Sequence, residues 1–171
     1  FKNSRLVGHL TGYEARGLNW LRNLIESGII VVKDKNGENI SLEIIESKCK
    51  IEPLIYNSGQ LKATIKLNVG TNIGEIVGTK EIFSREDVDY IKKQLGESIK
   101  QEIMTVINFA RKNKMDFFSL GTQFFQKYPT LWENYEKDWG DRVPTIDFDV
   151  QVKANIMRTY LLREPTSKEG D

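Results

Sequence analysis

The sequence has very few of the side chains that most often carry out enzyme chemistry. It contains one cysteine, Cys49, and one histidine, His9. A lone cysteine cannot form an intrachain disulfide, so the chain is not a small disulfide-stabilised scaffold. One cysteine and one histidine also cannot complete a zinc tetrahedron without carboxylates, and neither the HExxH nor the CxxC spacing occurs. We therefore expect no metal and no cofactor.

Cysteine and histidine could still act together as a nucleophile and its base. Cys49, however, shares the apolar phase of a predicted strand with Ile45 and Ile51. A free cysteine in that position usually packs as a small hydrophobic side chain. The pattern predicts a buried, inert thiol and a protein that is not an enzyme.

A surplus of one charge and a long hydrophobic run are also missing. The 25 basic and 24 acidic residues leave a net charge of +1, which does not suggest nucleic-acid binding. The longest apolar run near the start, residues 29–32, is far short of the roughly 20 residues that span a bilayer. The sequence opens on Phe1 without a signal peptide. We expect a domain from a longer protein, with any membrane anchor upstream.

Helical periodicity predicts one long helix and several short ones. Thr11 and Glu14 have capping-box spacing ahead of a first helix that Gly28 would end. A long helix over residues 85–112 follows Ser84 and keeps one face apolar for about 25 residues. Asp116 is placed to cap a further helix, and a last short one follows. The last short helix begins at Pro129 and runs through Trp132 and Tyr135.

Alternating hydrophobicity predicts the strands. They cover residues 5–10, 29–33, 40–52, 60–69 and 146–158. Asn36-Gly37 between two apolar runs indicates a hairpin, and a slip of phase near Ile44-Ile45 indicates a β-bulge. The glycines from Gly70 to Gly78 are expected in loop turns after a strand. The predicted fold is α+β, an antiparallel sheet with one long and several short helices on one face. It forms a single domain over residues 1–162, with a flexible tail over 163–171.

Two groups of residues are candidates for a site. Asp147 and Asp149 share a strand face and could bind a hard cation or act as an acid–base pair, but solvent-facing alternation explains them equally well. Eight aromatic residues lie close together in the sequence: Phe117, Phe118, Phe124, Phe125, Tyr128, Trp132, Tyr135 and Trp139. They either line a ligand groove or an interface, or form the core of a helical region. Trp132, Tyr135 and Trp139 are the candidate binding or interface residues.

Three further residues are predicted structural anchors: Trp20, Asp116 and Arg158. Trp20 lies beside the apolar stripe of the first helix. Arg158 follows the apolar phase of the last strand, where an unpaired guanidinium would be unfavourable. Either a bulge turns Arg158 outward, or it reaches a carboxylate such as Asp116 or Glu14.

The chain resembles the C-terminal domain of the Ger(x)C family. Leu6-Val7-Gly8-His9-Leu10 and Arg16-Gly17-Leu18-Asn19-Trp20-Leu21 are similar to the opening motifs of that family, L-V-G-x-L and R-G-L-x-W-L. Asp116 to Gly121 is similar to its D-x-x-x-x-G motif, and Tyr128-Pro129 with Trp132 to its Y-P-x-x-W motif. The ordered motifs run over residues 1 to about 160. Tyr160 departs from the pattern, since the family has glycine after the arginine and its neighbour.

The resemblance implies a non-catalytic lipoprotein subunit of a bacterial spore's nutrient germinant receptor. It implies partners, namely the integral membrane A- and B-type subunits, and a place on the outer face of the spore inner membrane. The lipid anchor would lie upstream of this chain. The domain would act in receptor assembly or signal relay; the alternative is a module that binds a small nutrient through the aromatic region.

Overall fold

The computed structural model describes the backbone of residues 9–76 and 84–159, and the side chains of 9–74 and 84–157. In this part of the chain four strands and five helices follow one another. The strands are β1 (Gly28–Lys33), β2 (Asn39–Ile55), β3 (Leu61–Ile76) and β4 (Asp147–Thr159). The helices are α1 (Gly12–Leu21), α2 (Arg85–Asn113), α3 (Leu120–Lys127), α4 (Pro129–Trp132) and α5 (Trp139–Arg142), with 3₁₀ turns at Glu136–Asp138 and Val143–Thr145. The predicted α+β fold is confirmed.

The sheet has the strand order β1-β2-β3-β4. The hairpin predicted at Asn36-Gly37 joins β1 to β2, and Gly37 has a φ of 86°. Asp34 holds this turn, because its Oδ1 accepts hydrogen bonds from the backbone N–H groups of Asn36 at 2.8 Å and Glu38 at 2.9 Å. β2 and β3 form a second antiparallel pair.

The prediction that the whole sheet is antiparallel was wrong for its last strand. β4 pairs parallel to β3, from Lys62 opposite Asp147 to Ile73 opposite Thr159. The physical reason is the 29-residue helix α2, which carries the chain back along the sheet before β4 begins. Alternation along a strand reports which side chains are buried, and it says nothing about strand direction.

The bulge predicted near Ile44-Ile45 is confirmed, since the β2–β3 register shifts between Ile44 and Glu46. Its effect on Ile45 was predicted wrongly. The inward phase passes from Ile44 to Cys49, and Ile45 is 45% exposed. A bulge inserts one residue that opposes no partner, so the residue at the slip leaves the buried face.

Two element ends also differ from the predictions. α1 ends at Leu21 and not at Gly28, and β3 continues through Gly70 and Gly74 to Ile76. Asn23 follows α1, has a φ of 57° and lies beside β2. Its side chain accepts from the Cys49 N–H at 2.6 Å and donates to the Cys49 carbonyl at 3.1 Å. It thus replaces a strand partner at the edge of β2.

The helices cover one face of the sheet. The apolar stripe of α2 packs against this face, and the inward side chains of the strands are buried beneath it. Ile65 and Val150, on β3 and β4, are 0% and 6% exposed, which confirms the predicted packing. The fully buried side chains of α2 are Ile91, Leu95, Ile99, Glu102, Ile103, Val106, Ile107 and Ala110. The opposite face of the sheet is polar and open along β2, β3 and β4.

Two predictions lie partly or wholly outside the described residues. Only residues 9 and 10 of the strand predicted over 5–10 are described, and they belong to no helix or strand. The tail over 163–171 is not described, so its boundary with the domain stays a prediction. Arg158 lies in β4 opposite Asn72, next to a register shift between Thr71 and Asn72, but its side chain is not among those described.

Candidate functional site

The first cluster of functional groups joins α1 to α2 around the carboxylate of Glu102. Arg16 Nε and Trp20 Nε1 both donate to Glu102 Oε2 at 2.8 Å, and Arg16 Nη2 donates to Oε1. Glu102 and Trp20 are fully buried, whereas the side chain of Arg16 is 37% exposed. A buried carboxylate is tolerated when its charge and lone pairs are satisfied, and here three donors satisfy them. The hydrogen bond to Glu102 raises the pKa of Arg16.

Local geometry explains why these residues meet. Arg16 and Trp20 are four apart in α1, so their side chains leave the same side of the helix. Gly17 lies between them and faces the backbone of Glu102, where any β carbon would clash. Glu102 was not among the residues predicted from the sequence. A signal was available, because Glu102 follows Ile99 by three residues and precedes Val106 by four, which places it on the apolar stripe.

The second cluster surrounds Asp116, between α2 and α3. Asp116 Oδ1 accepts from the N–H groups of Phe118 at 3.3 Å and Leu120 at 2.9 Å. Its Oδ2 accepts from the Gly121 N–H at 2.7 Å and from Trp139 Nε1 at 3.1 Å. The carboxylate therefore caps the start of α3 and binds an indole from the later helices.

The predicted binding residues Trp132 and Trp139 pack on this cluster. Their ring centroids are 4.8 Å apart, and the Trp139 ring lies 5.5 Å from that of Phe124. Gly121 makes room for both indoles, since a β carbon there would lie 2.9 Å from an atom of each. The two tryptophans lie in separate short helices, so a break in the helix brings their rings together.

Tyr135, the third predicted binding residue, reaches the β2–β3 hairpin. Its hydroxyl donates to the carbonyl of Gly59 at 3.2 Å, and the Arg142 guanidinium lies 5.6 Å from its ring centroid. The three residues thus lie in one helical region and contact protein groups. Trp132 and Trp139 are half-buried.

Asp147 and Asp149, considered from the sequence as a cation or acid–base pair, each have a protein partner. Asp147 Oδ2 lies 3.8 Å from Lys62 Nζ, and Asp149 Oδ2 accepts from Gln151 Nε2 at 2.8 Å. Within residues 9–76 and 84–159, no group of three His, Cys, Asp or Glu side chains is placed to hold a metal ion. The described helices include none that is long and apolar enough to cross a bilayer.

Cys49 is buried, as its phase with Ile51 predicts, while His9 is exposed. Desolvation raises the pKa of the Cys49 thiol to about 11. Because the thiolate is the nucleophilic form, a raised pKa opposes nucleophilic chemistry at Cys49.

Comparison with known proteins identifies the family. Residues 1–160 match the family model described as Spore germination B3/GerAC like, C-terminal. The chain belongs to this family. It is 27% identical over 154 residues to spore germination protein KC of Bacillus subtilis (strain 168), a match that covers 89% of this chain and 38% of that protein. Spore germination protein B3 of the same strain is 24% identical over 159 residues, covering 91% of this chain and 41% of that protein.

A solved structure, that of the GerBC protein, has the same fold. It matches with a TM-score of 0.81 and 23% identity, over 92% of this chain and 49% of that chain. The chain therefore spans less than half of the curated relatives it matches, 38% and 41% of their lengths. The relatives' names connect the family with spore germination.

In this germination-family domain, the motif residues quoted from the sequence occupy the two clusters. Arg16, Gly17 and Trp20 from the R-G-L-x-W-L motif surround Glu102. Asp116 from the D-x-x-x-x-G motif accepts from the N–H of Gly121, and Gly121 lies against the indole of Trp132 from the Y-P-x-x-W motif. The motifs therefore supply contacts between helices.

Proposed function

We propose that this chain is the C-terminal domain of a germinant receptor C subunit, and that it acts in receptor assembly or signal relay without catalysing a reaction. One observation carries the proposal: the polar side chains of the family motifs are bound to other groups inside the domain. Glu102 accepts three hydrogen bonds from Arg16 and Trp20, and Asp116 accepts four, from the N–H groups of Phe118, Leu120 and Gly121 and from Trp139. Side chains that are hydrogen-bonded inside the domain stabilise its fold. A stably folded surface is what a domain that acts in assembly needs.

The side chains that could act as a nucleophile or a general base support the same proposal. Cys49 is buried with a raised pKa, and Asp147 and Asp149 are engaged by Lys62 and Gln151. A general base or nucleophile would need access to substrate and a pKa near the working pH. These arguments favour a role in contact over a role in catalysis.

The proposed partners are the integral membrane A- and B-type subunits of the receptor. The proposed location is the outer face of the spore inner membrane, reached through a lipid anchor upstream of this chain. Family membership supports both proposals, because spore germination is the process named for the relatives.

The alternative is a nutrient-binding module formed by Trp132, Tyr135 and Trp139. Their contacts favour a structural role, because the two indoles pack on each other and the Tyr135 hydroxyl is bonded to Gly59. A nutrient between the two indole rings would have to separate rings whose centroids are 4.8 Å apart.

Two measurements test these functions. In spores, deleting the domain from the full-length lipoprotein should reduce recovery of the A- and B-type subunits in the receptor complex and abolish germination through it. Full recovery and normal germination would exclude a role in assembly or relay. NMR spectra of the isolated domain with amino acids and sugars should show no specific shifts at the indole N–H of Trp132 or Trp139. Saturable shifts at those two signals would favour the nutrient-binding alternative.

A further inference from the structure

The open face of the sheet carries an ordered pattern of charge. The strand register places Lys48 of β2, Asn68 of β3 and Lys153 of β4 side by side. The next row consists of Lys50, Lys66 and Gln151. All six are exposed, while their sequence neighbours Cys49, Leu67 and Val69 are buried on the helix side. We call these six residues the basic rows.

The second of the basic rows is neutralised in part by Glu52. Lys66 Nζ lies 2.6 Å from Glu52 Oε2, and Lys50 Nζ lies 3.0 Å from Glu52 Oε1. The hydrogen bonds from Lys66 and Lys50 lower the pKa of Glu52, so this carboxylate is ionised at neutral pH. It offsets the repulsion between two lysines that lie directly opposite each other.

The first of the basic rows has no such acid. Within the described part of the chain, neither Lys48 nor Lys153 has a carboxylate within ion-pair distance. The two lysines stand on either side of β3, roughly 10 Å apart across two interstrand spacings. The Asn68 carboxamide lies between them. This row is therefore a pair of unneutralised cations with a neutral hydrogen-bonding group at its centre.

A groove of about 340 Å³ runs between β3 and β4 over these residues. Its walls are formed by Lys66, Asn68, Gln151 and Lys153 and its remaining lining by Leu67 and Val152. Lys66 is already bonded to Glu52, and Gln151 donates to Asp149. Lys153 and Asn68 keep donors that can bind a carboxylate in this groove.

Acidic residues lie on this face on both sides of the basic rows. One side has a row of Glu52, Thr64 and Asp149 and then a row of Leu54, Lys62 and Asp147, and the other side has a row of Glu46, Gly70 and Asn155. Successive rows on one face are roughly 7 Å apart. A flat anionic membrane laid on this face would meet these acids as well as the basic rows. A narrow acidic segment that crosses the strands along the first row meets Lys48, Asn68 and Lys153 without lying on the acids of the other rows.

We propose that the basic rows bind an acidic, extended segment of another germinant receptor subunit. One carboxylate of that segment lies in the groove between Lys153 and Asn68, and a second is bound by Lys48. This inference rests on the proposed function in receptor assembly. It adds the surface, its register and the chemistry of the partner.

A titration of the purified chain tests the charge pattern. The probe is a decapeptide of alternating glutamate and serine at low salt, followed through backbone amide shifts. We expect saturable shifts at Lys48, Asn68 and Lys153. The double variant Lys48→Glu/Lys153→Glu should weaken binding by about tenfold. The control Lys93→Glu/Lys100→Glu makes the same charge change at exposed positions of α2, and it should leave affinity unchanged. An equal loss in both variants would overturn the proposal, since it would show attraction to net charge alone.

Vesicles of phosphatidylcholine with about one third phosphatidylglycerol test the membrane as the occupant. Sedimentation with these vesicles should be the same for the unaltered chain and for Lys48→Glu/Lys153→Glu. Binding to vesicles that this variant abolishes, without binding to the peptide, would overturn the proposal in favour of a lipid surface.

Photo-crosslinking in spores tests the partner. A benzoylphenylalanine at Asn68 of the full-length lipoprotein should crosslink to an acidic segment of another receptor subunit, and Lys48→Glu/Lys153→Glu should remove that product. A product with a second copy of the same chain would overturn the inference. Crosslinks to receptor subunits from position 93 and none from position 68 would overturn the proposed surface yet leave the assembly function standing. No crosslink from either position, with normal germination after domain deletion, would refute both.

Discussion

Gly17 of α1 lies against the backbone of Glu102 in α2. A β carbon added to Gly17 would be 2.8 Å from the carbonyl carbon of Glu102 and closer still to its oxygen. Real β carbons do not approach backbone atoms that closely, so only glycine permits this separation of the two helices. The same close approach allows Arg16 and Trp20 to reach the Glu102 carboxylate.

Gly17→Ala should therefore force α1 away from α2. We expect the free energy of unfolding to fall by about 3 kcal/mol, at the upper end of the usual cost of overpacking, because the clash is with backbone. Urea unfolding followed by circular dichroism measures it. Gly12→Ala is the matched control in the same helix, since nothing lies within 4 Å of a β carbon there. The control should be neutral or stabilising by up to about 1 kcal/mol. Equal loss in both variants would contradict this account of the helix contact.

Glu102→Gln should be destabilising although it keeps the volume of the side chain. It removes the charge that Arg16 faces and replaces one of the two oxygens that accept from three donors with an NH2 group. We expect a loss of about 2–3 kcal/mol, less than for a fully buried pair because Arg16 is partly exposed. Arg16→Met should cost a similar amount, and the double variant should cost less than the sum. The control Lys92→Met, which removes an exposed pair with Asp89, should change stability by no more than about 0.5 kcal/mol. Additive effects in the cycle would show that the pair is not coupled.

Glu102 also shows where prediction from sequence stops. Hydrophobic periodicity was enough to predict helix α2 and the buried faces of β3 and β4, because both patterns depend on residue type alone. An acidic residue on that stripe has no meaning until a partner is known, and its partners lie more than 80 positions away. The cluster was not predicted because its members are far apart in the sequence.

The direction of β4 was mispredicted for a related reason. Ile146, Phe148 and Val150 alternate in the same way in a parallel and in an antiparallel strand. The choice depends on the path of the intervening chain, which α2 and the short helices carry back to the start of β3. The Asp116 cap was recognised because capping is local, whereas its bond to Trp139 spans 23 residues and required the fold.

Cys49 should react slowly with thiol reagents in the folded protein. Its pKa is raised from 9.0 to about 11, so at pH 8 the thiolate fraction is about 100-fold lower than for an ordinary thiol. The free energy of unfolding should also fall as the pH rises from about 9 to about 11, because the Cys49 thiol of the unfolded chain loses its proton at a lower pH than that of the folded chain. Colorimetric labelling at pH 8, with and without denaturant, measures the rate. Lys50→Cys in a Cys49→Ser background is the control, since position 50 is exposed on the opposite face. Equal labelling rates at the two positions would reopen nucleophilic chemistry at Cys49.

The three tryptophans should divide by stability. Trp20 is fully buried and donates to Glu102, so Trp20→Ala should lower the free energy of unfolding by about 3–5 kcal/mol. Trp132 and Trp139 are half-buried but pack on Gly121 and on each other, so their replacement by alanine should cost roughly 2 kcal/mol. Thermal melting of the isolated domain gives the order of the three stability losses, and germination of spores carrying each variant shows the effect on function.

If the three rings act by stabilising the domain, germination should fall in step with melting temperature. A variant of Trp132 or Trp139 that melts like the unaltered domain yet abolishes germination would identify that indole as a contact with ligand or partner. In that case the aromatic region, and not the basic rows alone, would belong to the working surface of the domain.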